Sequence, residues 1–462
     1  MDAATLADKT VLVMGLGRFG GGVDAARFAA QAGARVLVTD LATQEQLGDS
    51  IEQLRGLGNV ELHLGRHEPD DFATADVVVV NPAVPPDNEF LRIARGHDRL
   101  ITSQIELFFQ MCPAQTVGIT GANGKSTTTA LAAHLLEKAP RRSGAAACEK
   151  VWLSGNIGNR PLLASLDQIG PRDVAVLELS SFQLEQLARI RIGPRIALLT
   201  NLTPNHLDRH GTFEAYCAAK ENIFRLQRCD RNVPAVSIFN ADDPIASRWH
   251  DKYAQQAGRL CVKYSADEVS DEIRESFALP GRANLSNLAG AIAVARQFGM
   301  TDRAIAGTLP GFKALPHRLE LVAVKSGVRW YNDSIATTPQ SAIVALEAFE
   351  EPKIIIAGGY DKKLPFDELG ETIARRARAA VLMGETADKI AAAIRAAVSD
   401  PSEPRIERAS SLAQAVDIAA RLADPGDVVL LSPACASYDM FDNFQQRGRM
   451  FADLVRGARE GL

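Results

Sequence analysis

Three α/β domains in series, each organised around a mostly parallel sheet, are what this sequence predicts. Three observations carry that expectation. Short apolar, β-branched runs alternate with amphipathic helical stretches almost throughout, which is the pattern of βαβ units. Two of the strand-to-helix junctions are glycine-rich, at residues 15–20 and 121–124. At 462 residues the chain also exceeds what one hydrophobic core ordinarily organises.

The runs at 11–14, 36–39 and 77–80 read as buried parallel strands near the front. Those at 116–120, 174–179, 196–200 and 235–239 form a second group, and those at 354–357, 380–383 and 428–431 a third. Segments 319–324 and 328–330 alternate around Ser326 and Gly327, which predicts a hairpin. Two interruptions suggest boundaries. Within 109–115, Cys112 and Pro113 break a helical run; 309–316 is punctuated by proline and glycine and is the expected hinge. The expected domains are therefore 1–111, 112–314 and 315–462.

The net charge of −5 argues against a general nucleic-acid or membrane-surface binder, but leaves anionic ligands open to local amides and a few cations. Six cysteines lie far apart with no CxxC, so idle thiols in a reducing cytosol are expected rather than zinc or disulfides. Residues 1–9 carry acids and no apolar core of a secretory signal. The longest apolar runs are strand-sized, far short of a membrane span. A cytoplasmic protein acting on small molecules follows, with no nucleic-acid or membrane partner and as a monomer.

The first glycine loop, Gly15-Leu16-Gly17-Arg18-Phe19-Gly20, follows a strand and opens a helix. Asp40 ends the next strand, at the offset of a ribose-binding acid. Such a loop lets a pyrophosphate approach a helix N-terminus. Three readings stay open at this point: NAD(P) binding, another nucleotide diphosphate such as UDP, and a turn that only packs helix on strand.

The second loop, Thr120-Gly121-Ala122-Asn123-Gly124-Lys125-Ser126-Thr127, again joins strand to helix. Its amides can cradle phosphates, Lys125 can neutralise β/γ oxygens, and Ser126 or Thr127 can bind Mg²⁺. Ile119 stands where the standard phosphate loop has its first glycine. Glu178 and His206 fall at or just past strand ends, where open α/β sheets bind ligands. The carboxylate suits Mg²⁺, or serves as a helix N-terminal acid; the imidazole is a candidate second ligand. By helix pattern alone Lys220 is an ordinary surface lysine. Asn284 and Asn287 share a helix face as candidate base or phosphate contacts, or as capping residues.

Together these residues resemble the Mur ligase family over nearly the whole chain. The resemblance rests on TGANGKST at 120–127, ELSSFQ at 178–183, PHR at 316–318, NDS at 332–334, and SPACAS at 432–437 followed by Asp442-Asn443-Phe444. It implies a Rossmann-like, UDP-substrate-binding first domain, a P-loop ATPase second domain and a Rossmann-like, amino-acid-binding third domain. It implies an ATP-dependent ligase joining glutamate to UDP-N-acetylmuramoyl-L-alanine through an acyl phosphate.

By that resemblance Arg18, Phe19, Asp40 and Leu41 would contact the uridine end and Asn156 the muramoyl substrate or phosphates. Gly121, Asn123, Gly124, Lys125, Ser126, Thr127, Asn284, Asn287, Arg318 and Asp333 would face ATP. Ser126, Glu178 and His206 would hold two Mg²⁺ ions. Lys220 matches a position that the family carbamylates with CO₂, giving a further metal ligand. Lys125, His206 and Lys220 would carry the catalysis, and Lys362, Ser437 and Phe444 would bind glutamate. Two departures leave the amino acid and its hand open. Ile335 stands where family members often carry lysine, and Lys362 and Lys363 are adjacent candidates for one role.

Overall fold

The computed structural model of the protein describes residues 3–18, 20–139, 148–157, 161–398 and 403–457. Phe19, expected at the uridine end, lies outside them. Three sheets are present. The first contains β1 (Thr10–Met14), β2 (Arg35–Asp40), β3 (Val60–Leu64), β4 (Val77–Val80) and β5 (Leu100–Thr102), in the order β3-β2-β1-β4-β5, all parallel.

The second contains β6 (Gln115–Thr120), β7 (Val151–Gly155), β8 (Val174–Glu178), β9 (Ile196–Leu199), β10 (Ala235–Asn240) and β11 (Arg259–Tyr264). Its order is β11-β10-β9-β6-β8-β7, again all parallel. The third contains β12 (Glu320–Lys325), β13 (Val328–Asn332), β14 (Lys353–Ala357), β15 (Ala379–Leu382), β16 (Arg405–Arg408) and β17 (Val428–Leu431). Its order is β12-β13-β17-β14-β15-β16, and only the β12–β13 hairpin is antiparallel.

The central strands are buried on both faces, as βαβ crossovers require: every residue of β4, β8, β10, β14 and β17 is buried. The apolar runs therefore predicted them correctly. The strands those runs did not predict, β3, β5, β7, β11 and β16, all lie at sheet edges. Edge strands keep one side in water, so their residues mix polar and apolar types, as in Arg405-Ile406-Glu407-Arg408.

By contact density the chain forms two compact units, Met1–Ile273 with Ser286–Leu309, and Arg274–Leu285 with Pro310–Leu462. The first holds two sheets on a shared core, in which Leu107, Phe108 and Phe109 of helix Gln104–Met111 cluster with Leu184 and Leu187 of helix Ser181–Ile190. Asp24, buried on helix Gly21–Gln31, reinforces that junction. Its carboxylate accepts the backbone N–H groups of Leu162, Leu163 and Ala164 (2.9, 2.8 and 3.1 Å) and the Gln104 amide (2.6 Å). Four donors satisfy a carboxylate that would otherwise be costly to bury. Among the described residues, no helix is long and apolar enough to cross a membrane.

Candidate active site

In the second sheet β6 lies between β8 and β9, so the loops leaving their C-terminal ends are neighbours. Chain order reverses at β6, which is where a parallel sheet opens a crevice. The loop after β6 is fixed by the loop after β9. Asn201 O accepts the Ala122 N–H (2.8 Å) and Asn201 Oδ1 accepts the Asn123 N–H (2.9 Å). Asn123 O accepts the Thr200 hydroxyl (2.6 Å) and the Asn201 amide (3.1 Å).

Gly121 and Gly124 adopt φ of 151° and 81°. A Cβ at Gly121 would overlap Thr200 Oγ1, and one at Gly124 would overlap Asn287 Oδ1. Both positions thus need glycine for conformation and for space. Helix Lys125–Leu136 begins directly after Gly124, and its first amides with the preceding turn make an anion cradle. Lys125 Nζ donates to Ala122 O at 2.8 Å, folded back over its own loop. Ser126 is half-buried and Thr127 buried in the helix's first turn. Asn287 also accepts from Thr128 Oγ1 (3.3 Å), which brings it to the phosphate loop. Asn284, one helical turn earlier, donates its amide to Pro280 O (2.8 Å).

Glu178 ends β8 with 2% of its surface exposed. Its Oε1 accepts the Asn156 amide (3.2 Å); its Oε2 is buried and has no hydrogen-bond partner among the described residues. Such an oxygen is a cost unless something binds it. Asn156 therefore holds Glu178. Just past it, Ser180 and Gln183 form a reciprocal capping box that starts helix Ser181–Ile190. Part of the ELSSFQ stretch is thus helix-initiation chemistry.

Lys220, expected on pattern alone at the surface, is 2% exposed on helix Phe213–Arg225. Its Nζ donates to Thr120 Oγ1 at 3.4 Å and sits 4.8 Å from the centre of the Tyr216 ring. No described carboxylate reaches salt-bridge distance. Burial, and then the nearby Lys125 charge, push its amine well below the usual lysine range against the pull of Glu178. His206 is in the left-handed region (φ 52°), with its ring 5.4 Å from that of Phe182. Burial of the ring lowers its pKa, and Lys125 and Lys220 lower it further. Lys125, Glu178, His206 and Lys220 thus share one electrostatic environment.

A hard divalent cation fits this set. Glu178 Oε2 is an unmatched buried carboxylate oxygen, and Ser126 offers a hydroxyl at the helix start. No cluster of three His, Cys, Asp or Glu side chains suited to a metal occurs among the described residues. Mg²⁺ keeps waters and phosphate oxygens as most of its ligands, so a carboxylate and a hydroxyl can be the protein's share. A protonated lysine has no lone pair to offer a cation.

At the first sheet's reversal, between β1 and β4, Gly15 and Gly17 (φ 89° and 63°) turn the chain. Asn81 after β4 donates to Gly15 O (3.3 Å). Asp40 Oδ2 accepts the Gly17 N–H (3.0 Å) and braces the loop, while Oδ1 accepts the Ala42 N–H (2.9 Å) in a local turn. Leu41 beside it is 67% exposed, and Arg18 is exposed.

In the third sheet the adjacent strands β13, β17 and β14 release three loops. Asp333, buried, accepts the Leu319 N–H (3.2 Å) and the Ser432 hydroxyl (2.9 Å), and burial pushes its carboxyl up to about 7. Arg318 follows His317, which takes a φ of 64° and meets the Asn332 amide through Nδ1 (3.0 Å). Lys363 is tied to Asp361 through Nζ (2.8 Å), and Lys389 pairs with the same carboxylate. Lys362 instead donates to Thr337 O (3.4 Å). Of the two candidates, Lys362 is the one directed at the neighbouring loop. Ser437 is buried, and Phe444 opens helix Phe444–Gly457.

Sequence reasoning missed Asn201 as the brace of the phosphate loop, although its place just past β9 is a usable signal. It also missed Arg447. That residue lies in a run of polar residues, and nothing in the pattern marks it as buried.

Three family models match: the Mur ligase middle domain over residues 119–278, the Mur ligase glutamate ligase domain over 317–435, and the Mur ligase MurD-like N-terminal domain over 9–102. Among curated relatives, the UDP-N-acetylmuramoylalanine--D-glutamate ligase of Roseiflexus sp. is 42% identical over 97% of this chain and 99% of its own. The protein of that name from Pelotomaculum thermopropionicum is 36% identical over 98% of each. Among solved structures, UDP-N-acetylmuramate-alanine ligase from Thermotoga maritima aligns over 98% of this chain and 100% of its own (TM-score 0.59, 19% identity). The MurF ligase of the same organism, in complex with ADP, aligns over 99% and 97% (TM-score 0.58, 19% identity) and shares the fold.

Proposed function

The chain belongs to the Mur ligase family, and from that premise we propose that it joins D-glutamate to UDP-N-acetylmuramoyl-L-alanine, consuming ATP, in the synthesis of peptidoglycan precursors. The observation that carries the reading is the pair of buried ionisable groups beside the phosphate loop, Glu178 with one oxygen unsatisfied and Lys220 with a single long hydrogen bond. Neither is stabilising as it stands. Both make sense where phosphate and a divalent cation are handled.

A carboxylate does not condense with an amine unaided near neutral pH. The γ-phosphoryl group of ATP passes to an oxygen of the alanyl carboxylate, giving an acyl phosphate and ADP. The amine of glutamate adds to that carbonyl, loses a proton, and phosphate departs with its electron pair, leaving the amide. Phosphoryl transfer needs position and charge stabilisation more than covalent help. The amides of the 121–124 loop orient the phosphates, and Lys125 swings from Ala122 O onto their oxygens. Asn287 and Asn201 keep the loop in shape. Mg²⁺ beside Glu178 and Ser126 would offset phosphate charge.

Lys220 adds a second role. Its neutral amine can attack CO₂; a new N–C bond forms, one proton leaves, and a carbamate anion results. With His206, that anion would serve a second Mg²⁺. In the second unit Lys362, Ser437 and Phe444 are assigned to glutamate, and Arg318 and Asp333 to ATP. Arg18, Phe19, Asp40 and Leu41 are assigned to the uridine end, with Asp40 shaping the loop. We place the protein in the cytoplasm, acting as a monomer on small molecules.

Phosphate release measured over amino acids of both hands tests the reading. Release is expected only with UDP-N-acetylmuramoyl-L-alanine and D-glutamate together. Release that needs only one of them, or that follows another amino acid, removes the assignment.

A further inference from the structure

Arg447 is wholly buried on helix Phe444–Gly457, the largest side chain among the described residues to be so. No described carboxylate pairs with it. Its guanidinium instead donates to four acceptors: Nε to Ser334 Oγ (3.0 Å), Nη2 to Ser334 O (2.9 Å) and Cys435 O (3.1 Å), and Nη1 to Ala436 O (3.3 Å). These acceptors lie on two different loops, after β13 and after β17.

A third loop, after β14, closes on the same group. A Cβ at Gly359 would come within 3.3 Å of Arg447 Nη1, and the Tyr360 N–H donates to Ala436 O (2.9 Å). Ser334 Oγ in turn donates to Phe444 O at 2.8 Å. The residues assigned to the amino acid sit immediately beside these contacts: Ser437 next to Ala436, Phe444 at the start of the same helix, and Lys362 two residues beyond Tyr360. A single planar fork thus bonds to two of these loops directly and reaches the third through Ala436 O, which Tyr360 shares.

We propose that Arg447 is the positioning residue of the amino-acid site, holding the 334, 359–362 and 435–437 segments in one register so that Lys362, Ser437 and Phe444 present a fixed pocket to glutamate. It does not touch substrate, since none of it is exposed. Its role rests on the fork geometry of guanidinium, which the single ammonium of lysine cannot reproduce. The proposal rests on the ligase reading above.

The test compares wild type, Arg447→Lys and Ser334→Ala for the KM of each substrate, with thermal denaturation to confirm folding. Wild type must first show glutamate-dependent phosphate release; its absence sinks the ligase reading rather than this role. In Arg447→Lys the KM for glutamate should rise at least about tenfold, the effect of one lost charge-assisted hydrogen bond, while that for the UDP-substrate stays within about twofold. Ser334→Ala, a milder lesion in the same network, should raise the glutamate KM about threefold, again selectively. A glutamate KM unchanged in folded Arg447→Lys, or all KM values moving together, overturns the proposal. If Arg447→Lys does not fold, Ser334→Ala decides, and an unchanged glutamate KM there overturns it.

Discussion

Two buried cations, one in each unit, are treated in opposite ways. Lys220 in the second sheet has one long hydrogen bond and no described ion pair, and its amine is pushed well below the lysine range. Arg447 in the third sheet has four acceptors, and burial pushes its guanidinium only down to about 10, so it keeps its charge near neutral pH. Both sit beneath loops at the C-terminal ends of three adjacent parallel strands. The lesson is that a buried base lacking partners is poised to lose its proton and react. A buried base saturated with carbonyls is a structural clamp.

Lys220→Ala should have the largest effect. Phosphate release should fall by about 10³-fold, the scale for losing a group that stabilises transition-state charge, with partial recovery on adding short carboxylic acids. Thermal stability should hardly change. A fully active variant would break the contrast at its reactive end. The clamp end is tested by denaturation. Arg447→Met should cost about 3 kcal/mol, because it strands buried carbonyls, whereas Lys220→Met should stay within about 1 kcal/mol of wild type. Equal losses would mean the two cations are not differently used.

Within the third sheet the adjacent lysines sharpen the point. Lys362→Met should raise the glutamate KM about tenfold, while Lys363→Met should change it less than about twofold, because Asp361 already holds Lys363. The smallest effect concerns pH. Asp333 has its carboxyl raised from 3.8 to about 7 by burial. A raised folded value means its contribution to stability is complete below about 3.8 and is lost as pH climbs through about 7. The melting temperature should therefore decline across that window, and Asp333→Asn should flatten the decline.

The sequence made the strands at the centre of each sheet legible because both their faces are buried, so they are continuously apolar, as in Val77–Val80. The edge strands were hidden because water on one side permits polar residues, as in Arg405–Arg408. The phosphate loop was legible because its glycines are forced by φ and by contact with Thr200 and Asn287. Lys125 was singled out from the glycine loop and Glu178 from its place at a strand end, and both lie within electrostatic reach of Lys220.

By itself, then, the sequence determined the three mostly parallel sheets, the two glycine turns and the family, since these depend on local periodicity and on residues a few positions apart. Only the tertiary structure decided that Lys220 is buried, that Asp40 braces the first glycine loop, that Asp361 holds Lys363 while Lys362 reaches Thr337 O, and that Arg447 bonds to the loops after β13 and β17. Each of those depends on side chains meeting across long stretches of chain, where burial and hydrogen-bond partners, not residue type, set charge and role.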